Sequence, residues 1–155
     1  MVINELIKVL YVDDEAHNLT AFRASFRRFF DIQTAINVDD AFEILDKQPI
    51  DILITDQRMP HKLGTDLLAI AVEKYPEQMR ILLTGYSDMD ALKDAVNKGQ
   101  IYKYLEKPWN DDEVISTINR AFQIQKLRAE QKMLNEKLSL TNEQLEFILR
   151  QKLLS

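Results

Sequence analysis

Short apolar runs rich in valine, isoleucine and leucine alternate with helical patterns along most of this chain. Runs of this kind are typical of strands that are buried on both faces of a sheet. Strands alternating with helices predict an α/β fold, in which helices cover both faces of a mostly parallel sheet and the crossovers are right-handed. The predicted strands are residues 7–12, 31–35, 50–55, 80–84 and 101–105.

The helices between these strands are bounded by recognisable start and stop signals. Asn37 and Asn110 are placed to cap helices that begin with acidic residues, and Ser87 or Asp88 could cap another. Gly64 supplies a flexible point before the third helix, and Gly99 ends the fourth. The predicted helices are residues 16–30, 38–46, 65–74 and 89–98, and a last one that begins at residue 111.

Charged residues lie just past the ends of three of the predicted strands. Asp13 and Asp14 follow the first strand, Asp56 follows the third and Lys107 follows the last. Parallel sheets bind ligands at the carboxyl ends of their strands, and the first and third strands would be neighbours there in the order 2-1-3-4-5, although spacing does not determine that order. Crowded carboxylates repel one another unless a cation joins them. The pattern therefore predicts a divalent metal, an anion for Lys107 to neutralise, and phosphoryl chemistry on Asp56.

Four motifs at strand ends occur in order: VDDE, TDQRMP, LLTGY and YLEKPW. In this order they resemble the receiver domain of two-component response regulators, over approximately residues 5–122. The resemblance implies a doubly wound, flavodoxin-like sheet of five parallel strands in the order 2-1-3-4-5.

The resemblance also implies a role for each charged residue. Asp56 matches the phosphoacceptor, which takes a phosphoryl group from a histidine kinase or a phosphotransfer protein. Asp13, Asp14, Asp56 and the backbone carbonyl of Arg58 match the ligands of Mg²⁺, a metal that prefers oxygen ligands. Lys107 matches the lysine that pairs with a phosphoryl oxygen.

Further positions match residues that bind the phosphoryl group, respond to it or control its lifetime. Thr84 matches the hydroxyl that moves toward the phosphoryl group, and the small Gly85 beside it leaves room for that group. Tyr104 matches the aromatic switch that turns inward when Thr84 moves, which points to the fourth helix, fifth strand and fifth helix as the responsive face. Arg58 and Tyr86 match the positions that tune phosphate lifetime, and their bulk predicts slow self-dephosphorylation.

The segment after the receiver-like region has a different composition. Residues 123–155 contain no glycine or proline, and leucines alternate there with charges of both signs. A four-three spacing predicts a dimerising coiled coil, although one amphipathic helix packing back on residues 1–122 is the alternative. Gln131 and Thr141 interrupt the seam. The seam residues are Ile124, Leu127, Leu134, Leu138, Leu145 and Ile148. We therefore predict two domains, a receiver at 1–122 and a coiled-coil or linker helix at 123–155.

Composition excludes several classes of protein. A formal net charge of -5 argues against general nucleic-acid binding, and the lack of cysteine excludes disulfides and thiolate metal sites. The first residues carry no basic leader, and no run approaches the ~18 apolar residues of a membrane span. We therefore expect a cytoplasmic protein without a membrane association.

The leading functional interpretation is a phosphorylation-controlled signalling switch that catalyses only its own phosphorylation and dephosphorylation. A constitutive dimerisation scaffold with a vestigial receiver is one alternative. An aspartyl-nucleophile phosphohydrolase is another, but such enzymes have a second aspartate where this chain has Arg58. The helical end of the chain predicts an effector after Ser155. The motifs resemble receivers joined to nucleotide cyclases, HD-type phosphodiesterases, histidine kinases or hydrogenase-type transcription regulators, and do not select among them.

Overall fold

The structure is a computed structural model that describes residues 5–85, 89–98 and 100–154. Strands and helices alternate along the chain, as the apolar runs predict. The elements are β1 (Lys8–Val12), α1 (Ala16–Phe26), β2 (Asp31–Ala35), α2 (Val38–Lys47), β3 (Ile52–Thr55), α3 (Gly64–Lys74), β4 (Met79–Thr84), α4 (Met89–Asn97), β5 (Lys103–Glu106) and α5 (Asp111–Leu154).

The strands form one parallel sheet in the order β2-β1-β3-β4-β5. This confirms the predicted fold class and strand order. β1 lies in the interior of the sheet, where Val12 is in register with Ala35 of β2 and with Thr55 of β3. The carboxyl ends of β1 and β3 therefore lie side by side, and the residues that follow Val12 and Thr55 emerge at one edge.

The interior strands form the centre of the core because helices cover both faces of the sheet. Every residue of β3 and β4 is buried, as are the last four residues of β1. The edge strand β5 buries only Leu105 and exposes its other three residues. β5 begins at Lys103, two residues later than the apolar run at 101–105 predicts. The prediction is less accurate here because most side chains of this strand are exposed and therefore need not be apolar.

Two of the predicted helix caps are made as expected. The side chain of Asn37 accepts a hydrogen bond from the backbone N–H of Asp40 at 2.7 Å, and Asn110 accepts one from Glu113 at 3.1 Å. α1 is shorter than the predicted helix at residues 16–30. It ends at Phe26, and the side chain of Phe29 is half-exposed. The predicted cap at Ser87 or Asp88 and the stop at Gly99 lie outside the described residues.

The chain divides into two compact units, residues 1–122 and residues 123–155. The second unit is helical from its first residue to Leu154, and helix α5 contributes to both units. Within the second unit the predicted seam residues Leu127, Leu134, Leu138, Leu145 and Ile148 are all more than half-exposed. None of the helices in the described part of the chain is long and apolar enough to cross a membrane.

Candidate functional site

The site is built where β1 and β3 end. The backbone N–H of Asp56 donates to the carbonyl of Val12 at 2.9 Å, which extends the β1–β3 ladder to the first residue beyond the strands. Asp13 and Asp14 leave β1 at the same level. One carboxylate oxygen from each of Asp13, Asp14 and Asp56 can be chosen so that all three lie within 4.8 Å of one another. Sheet register thus brings Asp56 beside an acidic pair that precedes it by 42 and 43 residues in sequence.

Lys107 completes the cluster from the end of the edge strand β5. Its backbone N–H donates to the carbonyl of Thr84 at 2.9 Å, and its peptide bond to Pro108 is cis. Its ammonium group lies 2.8 Å from Asp13 Oδ2 and 3.2 Å from Asp56 Oδ2. The ammonium group therefore bridges two carboxylates that would otherwise repel each other. Burial acts to lower the pKa of Lys107, but Asp13 and Asp56 outweigh burial and hold that pKa above its ordinary value.

Asp13 is fully buried and is surrounded by hydrogen-bond donors. Its Oδ2 atom accepts from the Tyr11 hydroxyl at 2.6 Å and from the Asn18 amide at 3.1 Å, in addition to Lys107. Its Oδ1 atom accepts from the backbone N–H of Glu15 at 3.0 Å. Burial acts to raise the pKa of Asp13, but these donors outweigh burial and hold that pKa below its ordinary value. Asp13 is therefore a stable buried anion.

Asp56 is less well compensated than Asp13. Its Oδ1 atom accepts from the backbone N–H of Gln57 at 2.8 Å, and Oδ2 faces Lys107. Burial raises the pKa of Asp56, Lys107 lowers it and Asp13 raises it again, so that the net shift is upward. The negative charge of Asp56 would thus be stabilised by an added cation.

The cluster fits a hard divalent cation. Its ligand atoms are all carboxylate oxygens, which Mg²⁺ prefers, and the cluster is half-open because Asp14 is partly exposed and Asp13 and Asp56 are buried. Arg58, whose carbonyl was predicted as a further ligand, lies two residues after Asp56 with an exposed side chain.

Three more of the predicted site residues lie at the end of β4 and on β5. Thr84 is buried at the end of β4, and Gly85 follows it in open space, because a Cβ built there would meet no atom within 4 Å. Tyr104 on β5 has an outward side chain that is 39% exposed. Tyr86 lies outside the described residues.

Two features of the site were missed by the sequence patterns. The sequence patterns identify Tyr11 only as part of a buried strand. Because alternate residues of an extended chain point to the same side, its side chain lies on the same face as that of Asp13, two residues later. Gly64 was predicted as a flexible point, but a glycine is needed there because the backbone of α3 lies close to the backbone of Asp56. A Cβ at Gly64 would lie 2.1 Å from the carbonyl oxygen of Asp56. Neither feature has a distinctive local motif.

Comparisons with known proteins identify the family of this chain. Residues 9–119 match the response regulator receiver domain family. The chain is 36% identical over 122 residues to the hydrogenase transcriptional regulatory protein HoxA of Cupriavidus necator, covering 79% of this chain and 25% of HoxA. It thus spans about a quarter of the length of that curated relative.

Solved structures show the same fold. The signal receiver domain of an HD domain-containing protein from Pseudomonas fluorescens Pf-5 superimposes with a TM-score of 0.77 at 29% identity, covering 84% of this chain and 96% of that one. An adenylate cyclase structure from Rhodopirellula baltica gives a TM-score of 0.80 at 27% identity, covering 87% and 99%. Taken with the acidic cluster and its lysine, these matches lead to one conclusion: the chain belongs to the receiver domain family of two-component response regulators.

Proposed function

We propose that this chain is a phosphorylation-dependent switch in which Asp56 accepts a phosphoryl group from a histidine kinase or a phosphotransfer protein. The observation that carries this proposal is the position of Lys107, whose ammonium group bridges Asp13 and Asp56 beside a third carboxylate, Asp14. Receiver domains take phosphoryl groups from histidine kinases and generally bind Mg²⁺ at an acidic pocket of this kind.

In the proposed reaction a carboxylate oxygen of Asp56 attacks the phosphorus of a phosphohistidine. The new O–P bond forms an acyl phosphate, the N–P bond breaks, and the imidazole leaves with its electron pair. Asp13, Asp14, Asp56 and the Arg58 carbonyl would hold Mg²⁺. The metal would offset the repulsion between Asp56 and the incoming phosphate and stabilise charge on the transferring group.

Lys107 would exchange partners during this reaction. It now pairs with both Asp13 and Asp56, and formation of the acyl phosphate replaces the carboxylate charge of Asp56 with the charge of the phosphoryl group. The ammonium group could then pair with a phosphoryl oxygen over a short distance. The open space at Gly85 would admit that group, and the exposed Arg58, together with Tyr86, would slow its hydrolysis.

A conformational response would begin at Thr84. This buried hydroxyl is proposed to move toward the phosphoryl group, and Tyr104, which now points outward, would turn into the space that Thr84 leaves. The phosphoryl group would thereby favour one of two packings at the face made by α4, β5 and α5.

The first prediction concerns labelling of the native protein. Incubation with acetyl phosphate and Mg²⁺ should add about 80 Da, the mass of one phosphoryl group, at a site that peptide mapping assigns to Asp56. Because the metal offsets charge in the transition state, excess EDTA should reduce the labelling rate at least about 100-fold, and added Mg²⁺ should restore it. Absence of labelling at saturating Mg²⁺ would overturn the proposed function.

The second unit is proposed to form a homodimeric coiled coil that carries the response to an effector beyond Ser155. Support comes from its uninterrupted helix and from the exposed leucines at seam positions. Similar proteins bear names that include a transcriptional regulatory protein, an HD domain-containing protein and an adenylate cyclase, so an effector of any of these kinds would fit. The activity proposed for this chain itself is limited to self-phosphorylation and dephosphorylation, without direct binding to nucleic acid or membrane.

The dimer leads to a second prediction with an internal control. Leu138 lies on the predicted seam, whereas Leu140 lies on another face of the same helix, and the two are about equally exposed, at 61% and 57%. Leu138→Lys should raise the dimer dissociation constant at least about 100-fold, since two buried leucine contacts of roughly 1.5–3 kcal/mol each are lost. Sedimentation equilibrium of both variants measures this effect. Equal dissociation by Leu140→Lys would place the interface elsewhere.

A further inference from the structure

Tyr11 connects the acidic site to the core beneath it. The residue is fully buried on β1, and its hydroxyl donates a 2.6 Å hydrogen bond to Asp13 Oδ2. A phenylalanine would fill the same space in a strand core without the hydroxyl. The hydroxyl therefore serves the carboxylate rather than the packing.

The orientation of this hydroxyl is held by an aromatic cluster, which consists of Tyr11, Phe22, Phe26 and Trp109. The Tyr11 ring stacks on Phe22 with 4.2 Å between ring centroids, and Trp109 meets it edge-on at 6.1 Å. Phe26 packs against Phe22 and Trp109 at 4.7 and 6.5 Å. A ring that is confined on two sides gives its hydroxyl a defined position, which in turn defines where Asp13 Oδ2 can lie.

The other donors to Asp13 Oδ2 are less constrained. The Asn18 amide comes from a half-buried position on α1 and also donates to Glu15 at 3.3 Å. Lys107 is shared with Asp56 and is the group that would turn to a phosphoryl oxygen. A fully buried carboxylate that loses its cation needs its remaining hydrogen bonds. Among the donors to Oδ2, the Tyr11 hydroxyl is the one that stays in place, while the backbone N–H of Glu15 holds Oδ1.

We propose that Tyr11 is a positioning residue for the magnesium site: its hydroxyl, held by the aromatic cluster, fixes the Asp13 carboxylate in the orientation that binds the metal or the metal's water. This inference rests on the proposed function, because it assumes that Asp13 serves Mg²⁺. Groups that orient metal ligands in this way typically contribute a factor of 10–100 to metal affinity. The alternative is a core aromatic whose hydroxyl is merely satisfied by a nearby carboxylate.

The test is Mg²⁺ binding to the whole chain, measured by titration calorimetry and by the emission of Trp109, the single tryptophan of the protein. Tyr11→Phe keeps the ring and removes only the hydroxyl. Phe26→Leu is the matched control, since it alters a ring that packs on Phe22 and Trp109 but removes no hydrogen-bond donor to Asp13. Circular dichroism confirms that both variants fold, and Asn18→Leu, which removes a different donor to Asp13 Oδ2, provides an independent variant.

We expect Tyr11→Phe to weaken Mg²⁺ binding about tenfold. The Mg²⁺ concentration for half-maximal labelling by acetyl phosphate should rise by a similar factor, while the rate at saturating Mg²⁺ stays within about twofold, because the metal restores the geometry once it is bound. Asn18→Leu and Phe26→Leu should each weaken binding by a smaller factor, since each leaves the Tyr11 hydroxyl itself in the protein.

Three results would count against the proposal in distinguishable ways. Unchanged Mg²⁺ affinity in Tyr11→Phe would show that the hydroxyl does not position the metal site, and it would leave the proposed function intact. An equal loss in Phe26→Leu would assign the effect to the aromatic cluster as a whole. A native protein that binds no Mg²⁺ would remove the proposed function and this inference together.

Discussion

Asp56→Asn is expected to abolish phosphoryl labelling by acetyl phosphate. An amide oxygen is a far weaker nucleophile than a carboxylate oxygen. The substitution also removes one of the negative charges that would hold Mg²⁺. Asp51→Asn is the matched control, because Asp51 precedes the opposite end of β3, where its carboxylate accepts a hydrogen bond from the backbone N–H of Lys8 at 2.9 Å. Labelling should persist in that variant. Intact-mass spectrometry of both proteins measures the result, and residual labelling of Asp56→Asn at another residue would reassign the acceptor.

The same substitution should increase stability in the absence of metal. Burial and the nearby Asp13 raise the pKa of Asp56, which means that folding disfavours its ionised form even with Lys107 at 3.2 Å. At neutral pH, Asp56→Asn removes that penalty, so we expect its free energy of unfolding in EDTA to rise by about 1 kcal/mol. Urea denaturation measures the difference. A less stable Asp56→Asn protein would mean that its contact with Lys107 outweighs the penalty.

Gly64→Ala should strongly destabilise the receiver. The added Cβ would lie 2.1 Å from the Asp56 carbonyl oxygen and 2.9 Å from its carbonyl carbon, and both are backbone atoms that no rotamer change can move. Relief requires α3 to shift away from the β3–α3 loop, where the Gly64 N–H now donates to the Gln57 carbonyl at 2.9 Å. We expect a loss of about 3 kcal/mol and a melting temperature lower by roughly 10 °C.

Gly85→Ala provides the control for this effect. The substitution is chemically identical, but a Cβ at Gly85 meets nothing within 4 Å and the glycine does not need a left-handed backbone. Its stability should change by less than about 1 kcal/mol. Thermal unfolding followed by circular dichroism compares the two variants. Similar melting temperatures for Gly64→Ala and Gly85→Ala would show that the loop yields easily and that close approach at Gly64 is unimportant.

Much of the fold was predictable because strand burial and helix capping depend on residues that are close together in the sequence. β1, β3 and β4 are buried on both faces and therefore consist mainly of apolar residues, which a sequence displays directly. The caps Asn37 and Asn110 satisfy backbone donors only three residues away. β5 was placed less accurately, since exposed Lys103, Tyr104 and Glu106 weaken the apolar pattern of an edge strand.

By itself, the sequence determined which residues could take part in the site, because acidic and basic side chains directly after apolar runs must emerge at the carboxyl ends of strands. Only the tertiary structure decided how they are joined: sheet order places Asp13 beside Asp56, Lys107 bridges them, Tyr11 supplies a hydroxyl from below, and Gly64 closes against the Asp56 carbonyl. The physical reason is range. Burial and capping depend on neighbours a few residues away, whereas a hydrogen bond or a steric overlap depends on where packing brings distant backbone and side-chain atoms.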